Sequence, residues 1–368
     1  MKNGQRKLRA ALYDPYLDIL GGGERHVLSI FKALQEAGCE ISVFWDKDLS
    51  VEIEERFGLG FNEKLHFLPN FFKKRKSFAD RFHILSRFDI LLYVTDGSYF
   101  SSPVPKNFVF CMVPKKELYN MNFFNRLKTV RWKFISNSDY TKNWLEKWGI
   151  SSQVVYPYVE DDFIDTRANN LKKDKTILSV GRFFGHLHSK KQDILIKWFK
   201  KIDQNNNLFK EFKLILAGGL KQEDKAYSDN LKLLIGQAKN IELKQNLSFT
   251  DLLSLYRNSM FYVHMAGFGV NSKENPHLVE HLGITPLEAM ASGSIVYCYN
   301  AGGAKEIITD GQNGFLFDSF DELEQKMQKV LENVNLQRSV RSVGERFVQE
   351  NFSYEKFKEN VKRLITNE

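Results

Sequence analysis

The run Leu8-Arg-Ala-Ala-Leu-Tyr13, the triplet Gly21-Gly22-Gly23 and the apolar positions Val27, Leu28, Ile30, Phe31 and Leu34, closed by Gly38, decide the fold. The run is a short apolar strand, the triplet a loop, and the apolar positions recur at helical spacing. The same order of strand, glycine-bearing loop and helix returns along the chain. Residues 41–45, 90–94, 108–113 and 134–136 read as further strands, and Gln153-Val-Val-Tyr-Pro157 closes the first half. A second series starts with a strand over 176–180 and Gly181-Arg182, followed by a helix through Ile194, Leu195, Trp198 and Phe199. Strands over 213–217, 241–243, 260–264 and 295–299 follow. This alternation predicts an α/β protein with parallel sheets.

At about 150 residues per domain, 368 residues predict two domains. The 43% hydrophobic and 27% charged residues suffice for a sizeable core and exclude global disorder. Lys and Arg (53) exceed Asp and Glu (45) by eight, which suits anionic partners without choosing among them. Cys39, Cys111 and Cys298 lie far apart with no C-x-x-C pair, which argues against a zinc ribbon, a redox dithiol and a disulfide framework. No apolar run approaches the roughly 20 residues of a membrane helix, and the N-terminus lacks a signal-peptide core. These features predict a cytoplasmic protein, with peripheral contact at a membrane as an option.

The polar stretch after Tyr158 sets the expected boundaries. Residues 1–158 form the N-terminal domain, 159–174 a linker and 175–352 the C-terminal domain, while a terminal helix over 353–368 packs back toward the first. Two doubly wound, Rossmann-like domains would face a central cleft, with ligands at strand carboxyl ends and helix N-termini.

The densest chemistry lies between His264 and Gly293. Thr285-Pro286-Leu287-Glu288 spells a capping box that starts a helix, with Gly293 as its stop. A second reading stands beside it. Gly283, Ile284 and Thr285 would offer backbone N–H groups to a phosphate, with Glu280 and Glu288 on either side of that loop. Two carboxylates flanking an anion site suit hydroxyl groups, as a nucleotide sugar provides. No G-x-G-x-x-G or G-x-x-x-x-G-K-[ST] pattern accompanies Gly21–Gly23, which argues against a dinucleotide or P-loop site.

The block Glu280-His-Leu-Gly-Ile-Thr-Pro-Leu-Glu288-Ala-Met-Ala-Ser-Gly293, continued by Ala301-Gly302-Gly303-Ala304-Lys305-Glu306-Ile307-Ile308, resembles the signature of the family 4 retaining glycosyltransferases, which have the GT-B fold. Ser179-Val-Gly181-Arg182 with Lys190 is similar to that family's basic pair, and Gly21-Gly22-Gly23-Glu24-Arg25 to its N-terminal glycine-rich loop. Asn137-Ser138 and Val155-Tyr156-Pro157 resemble the end of its first domain. More loosely, His264-Met-Ala-Gly-Phe-Gly269 and the block from Glu280 resemble mannosyltransferases that extend lipid-linked oligosaccharides. The resemblance implies that Glu288 holds the ribose, that Glu280 contacts the donor sugar, and that Arg182 and Lys190 neutralise the departing diphosphate. It also implies Gly22, Gly23, Gly283, Ile284 and Thr285 around the donor. It further implies transfer with retention, no metal and no separate cofactor, GDP-mannose ahead of a UDP-hexose as donor, and a glycan or lipid-linked acceptor.

Alternatives stay open at several positions. Arg182 can be a surface residue, Lys191 can replace Lys190, and His264 can be structural or a donor contact. Asp96, in Thr95-Asp96-Gly97-Ser98, can orient an acceptor hydroxyl or simply make a turn. The segment Phe108-Val-Phe110-Cys111-Met112-Val113-Pro114 lacks the histidine that many relatives carry near the acceptor, and this supports a second hypothesis: an inactive scaffold that binds a nucleotide sugar. His186, His188 and His281 lack the partners of a metal cluster. Lys73, Lys74, Arg75 and Lys76, and the cations between Lys115 and Lys133, are either solvated surface or contacts for anionic lipid headgroups or a lipid-diphosphate acceptor. No nucleic-acid-binding pattern is present.

Overall fold

The computed structural model describes residues 6–72, 77–164, 173–185 and 189–366. Lys73, Lys74, Arg75, Lys76, His186 and His188 therefore lie outside the described residues. The chain divides into two units, Met1–Pro157 with Glu355–Glu368, and Tyr158–Tyr354. Of the stretch expected as a linker, the described residues up to Ile164 belong to the second unit.

In the first unit the chain runs β1 (Arg9–Tyr13), α1 (Gly22–Glu36), β2 (Glu40–Phe44), α2 (Ser50–Phe57), β3 (His66–Leu68), α3 (Phe78–Leu85) and β4 (Ile90–Val94). It continues through β5 (Lys106–Cys111), α4 (Phe123–Lys128), β6 (Trp132–Ser136), α5 (Asp139–Lys147) and β7 (Ser152–Val154). All seven strands are parallel, in the order β3-β2-β1-β4-β5-β6-β7. The central strand β4, Ile-Leu-Leu-Tyr-Val, is buried at every position, as both faces of a parallel sheet demand. The triplet Gly21–Gly23 is only partly a loop. Glu24 accepts a hydrogen bond from the Gly21 N–H at 2.7 Å and Arg25 N–H closes on the Gly21 carbonyl, so Gly22 and Gly23 already form the first turn of α1.

The second unit contains β8 (Asp174–Val180), α6 (Gln192–Asn205), β9 (Lys213–Gly218), α7 (Lys225–Ile235), β10 (Ile241–Gln245), α8 (Phe249–Asn258) and β11 (Ser259–His264). It ends with α9 (Ile284–Ala291), β12 (Ile295–Tyr299), α10 (Ala304–Ile307), β13 (Phe315–Phe317), α11 (Phe320–Leu331) and α12 (Val334–Asn351). Its six parallel strands run β10-β9-β8-β11-β12-β13. The order reverses between β8 and β11, and the connections that leave the carboxyl ends of these two strands carry Gly181, Lys190 and Glu280. The last helix, α13 (Tyr354–Thr366), returns to the first unit from Glu355 onward. There Phe357 lies against the buried His26 ring, and Lys106 donates to the Ile365 carbonyl at 2.6 Å.

Candidate active site

Strand β8 delivers Gly181 and β11 delivers His264 to the same end of the second sheet, and three residues expected at a reaction centre meet there. Lys190 Nζ donates to Glu280 Oε2 at 2.5 Å, and His264 Nε2 lies 2.7 Å from the same oxygen. A carboxylate only accepts, so His264 carries its proton on Nε2, an assignment made from the partner. The other ring nitrogen, Nδ1, is buried without a hydrogen-bond partner. Burial pushes the His264 pKa down and outweighs the opposing pull of Glu280, so the ring is neutral near pH 7. The geometry also separates the two lysines. The Lys190 stem crosses Gly181, where a Cβ would come within 2.5 Å of Lys190 Cγ, while Lys191 adopts a left-handed backbone at the start of α6.

Behind this cluster stand three aromatic rings in series. Tyr256 on α8 stacks on Tyr262 at 6.0 Å between centroids, and Tyr262 stacks on His264 at 6.3 Å. Each ring holds one residue of the candidate site by its polar tip. Tyr256 donates to Glu288 Oε2 at 2.9 Å, the Tyr262 hydroxyl lies 2.8 Å from Thr285 Oγ1, and His264 holds Glu280. All three rings are buried, so these bonds are shielded from water and fix the side chains they reach.

The expected capping box at Thr285 is not what starts α9. The N-cap is Gly283 at φ 103°, with no side-chain cap, so Thr285 and Pro286 are the second and third helical residues. Thr285 is engaged by Tyr262, and Glu288 reaches Tyr256 rather than the helix end. A left-handed cap needs no side chain, and glycine adopts it without the Cβ penalty. The predicted stop at Gly293 matches the structure. Gly293 donates to Met290 at 3.0 Å and Ser294 to Ala289 at 2.9 Å, the paired bonds of a Schellman motif. Gly302 and Gly303 press the loop after β12 against the backbone at Glu280. A Cβ on Gly302 would stand 2.1 Å from the Glu280 carbonyl oxygen, and Gly303 N–H donates to that oxygen at 2.7 Å.

The other expected residues have contacts of their own. Arg182 is held by Asp224, through Nε at 3.0 Å and Nη2 at 2.7 Å, and by Glu223 at 2.9 Å. Gly22 and Gly23 sit in the first unit, where Gly23 faces the Met112 side chain. Asp96 Oδ1 accepts from the Tyr93 hydroxyl at 2.5 Å and from the Ser98 amide and hydroxyl at 2.9 and 2.6 Å, so this oxygen organises its own turn. Several residues escaped the sequence reading: Tyr256, Tyr262, Asp224 and the buried Lys173. Lys173 donates to the carbonyls of Arg257, near the end of α8, and of Ser292, the last residue capping α9. Their side-chain hydrogen-bond partners are 23 or more residues away in sequence, beyond the reach of any local motif.

The family described as Glycosyl transferases group 1 matches residues 161–347. Among characterised relatives, the mouse GDP-Man:Man(3)GlcNAc(2)-PP-Dol alpha-1,2-mannosyltransferase is 28% identical over 62% of this chain and 48% of its own length. The human protein of the same name is 24% identical over 99% of this chain and 88% of its own. The chain thus spans about half of the mouse relative's length. In fold, it is similar to a glycosyltransferase from Rickettsia africae ESF-5, with TM-score 0.74 and 16% identity over 99% of this chain and all of that one. It is also similar to Anabaena HepE, solved in complex with UDP and glucose, with TM-score 0.70 and 15% identity over the same shares.

Proposed function

Because the chain belongs to the group 1 glycosyltransferases and has their two Rossmann-like domains, we propose that it transfers a hexose from a nucleoside-diphosphate sugar to a glycan or lipid-linked acceptor, with retention and without a metal. The observation that carries this reading is the Lys190–Glu280–His264 cluster ahead of α9, with Glu288 held behind it by Tyr256. Glu288 holds the ribose hydroxyls and Glu280 the sugar hydroxyls. The first turn of α9, whose N–H groups lack intrahelical acceptors, faces the diphosphate. Lys190 exchanges its bond to Glu280 for the diphosphate, with Arg182 adding a second cation.

In the transfer, the bond between the anomeric carbon and the terminal phosphate oxygen breaks. The acceptor oxygen bonds to that carbon on the same face, and its proton passes to the leaving phosphate. Fixed cations stabilise the charge that grows on the diphosphate, the effect expected to lower the barrier most. Mannose is the favoured sugar and GDP-mannose the favoured donor, with a UDP-hexose second, because the mouse and human relatives are named for GDP-Man. The test is calorimetric titration with GDP, UDP and dTDP and their sugar conjugates, without added metal, followed by NMR assignment of the product anomer. Selective binding of one donor with an anomer matching it supports the proposal. Absence of binding by all three nucleotides, or an inverted product, overturns it.

A further inference from the structure

Helices that connect parallel strands normally bury one apolar stripe against the sheet. The short helix α4, between β5 and β6, buries no residue at all. Its apolar side chains face outward instead: Phe123 is 71% exposed, Phe124 70%, Leu127 58% and, just beyond the helix, Val130 78%. The two phenylalanine rings touch edge to face at 5.8 Å. The helix is nonetheless well defined at both ends. Asn122 caps it by accepting from Asn125 N–H at 2.9 Å, and Arg126 Nε ties back to the Met121 carbonyl at 3.0 Å. The segment from 115 to 133 carries six cations, at Lys115, Lys116, Arg126, Lys128, Arg131 and Lys133, and one acid, Glu117. That net charge of five is more than half of the whole chain's excess of eight.

We propose that this face of the first unit docks on an anionic lipid bilayer, with Phe123, Phe124, Leu127 and Val130 entering the headgroup boundary and the surrounding cations pairing with lipid phosphates. Contiguous exposed apolar side chains on a folded surface mark an interaction site. Their identity here narrows the partner. Exposed aromatic and aliphatic tips flanked in sequence by lysine and arginine fit an interface that is apolar below and negative above. A self-association surface would bring the same cations face to face and repel. The inference stands on residues 115–133 alone and does not depend on the transfer proposed above.

Vesicle sedimentation of the full chain tests it, with vesicles of phosphatidylcholine alone or containing about 30% phosphatidylglycerol. The wild type should partition onto the anionic vesicles and much less onto the neutral ones, and raising the salt to about 0.5 M should release it. The double variant Phe123→Ser/Phe124→Ser should bind the anionic vesicles about tenfold less well. Lys128→Glu/Arg131→Glu should lose a similar factor on anionic vesicles and nothing on neutral ones. All four positions are exposed, so both variants should keep nucleotide binding, and that titration separates this proposal from the donor-site one. Failure of the wild type to bind anionic vesicles overturns the proposal, as does undiminished binding by either variant. A wild-type dimer in light scattering that Phe123→Ser/Phe124→Ser converts to monomer also overturns it, in favour of a second copy.

Discussion

At the scale of single residues, the candidate site consists of charges and hydroxyls held by buried partners. Lys190 is the sharpest case. Its ammonium has Glu280 as partner, and in the proposed reaction its interaction with the diphosphate is worth more as the diphosphate leaves than when the donor first binds. Lys190→Ala should therefore lower kcat about 100-fold, with nucleotide affinity changed much less, as steady-state kinetics and calorimetry on one preparation would reveal. Removing the lysine charge also relieves one of the forces holding the His264 pKa down, so that ring should titrate higher in the variant, which NMR can follow. Equal losses in binding and turnover would refute the role given to Lys190. Tyr256→Phe makes a second test. It deletes only the hydroxyl that orients Glu288, so donor affinity should fall about tenfold while far-UV circular dichroism stays the same. Glu288→Ala should cost about 1–3 kcal/mol of stability because it strands that buried hydroxyl, not because a helix cap is lost.

At the scale of elements, the two helices that carry the Tyr256–Glu288 pair are tied together at their C-terminal ends by one buried cation. Lys173 donates to a carbonyl near the end of α8 and to one at the end of α9, where the helix dipoles favour positive charge. Lys173→Met keeps the length and removes both bonds. It should cost about 3 kcal/mol in urea unfolding and weaken donor binding as α8 and α9 loosen. A variant as stable as the wild type would refute the tie. Most of the elements were legible in the sequence because parallel strands are continuous apolar runs, and 90–94 and 295–299 match β4 and β12 end for end. Strands β3 and β13 were missed because three residues on a sheet edge carry no periodicity. The start of α9 was misread for a different reason. Thr285-Pro286-Leu287-Glu288 has the letters of a capping box, but the preceding Gly283 takes the left-handed conformation that caps the helix first. Lys190, Glu280 and His264 were legible as candidates from motifs, though not that they share one carboxylate oxygen. The rings behind them were not, since packing against α8 and β11 places them.

At the scale of the whole molecule, the two units respond to pH in opposite directions. In the second unit, burial lowers the His281 pKa from 6.5 to about 4. The unfolded chain then binds a proton that the folded unit refuses, so stability is present above pH 6.5 and is lost as pH falls toward 4. The first unit holds His26, lowered by burial to about 3, and Asp14, raised to about 8 by burial and by the neighbouring Glu24. Asp14 works in the other sense. Its folded form keeps a proton that the unfolded chain gives up, so its contribution is present below about pH 3.8 and lost as pH rises toward 8. Between about pH 4 and 6.5 the two groups offset each other, which leaves the first unit sensitive on the alkaline side and the second on the acid side. Exposed ion pairs add little to either limb. Urea unfolding of the full chain from pH 4.5 to 8 checks this. His281→Gln should recover about 3 kcal/mol of the loss between pH 6.5 and 4.5 and change nothing above pH 7. Asp14→Asn should flatten the decline between pH 6.5 and 8 and leave the acid limb of the second unit untouched. Curves for both variants that run parallel to the wild type across the whole range would mean that neither buried group governs its unit.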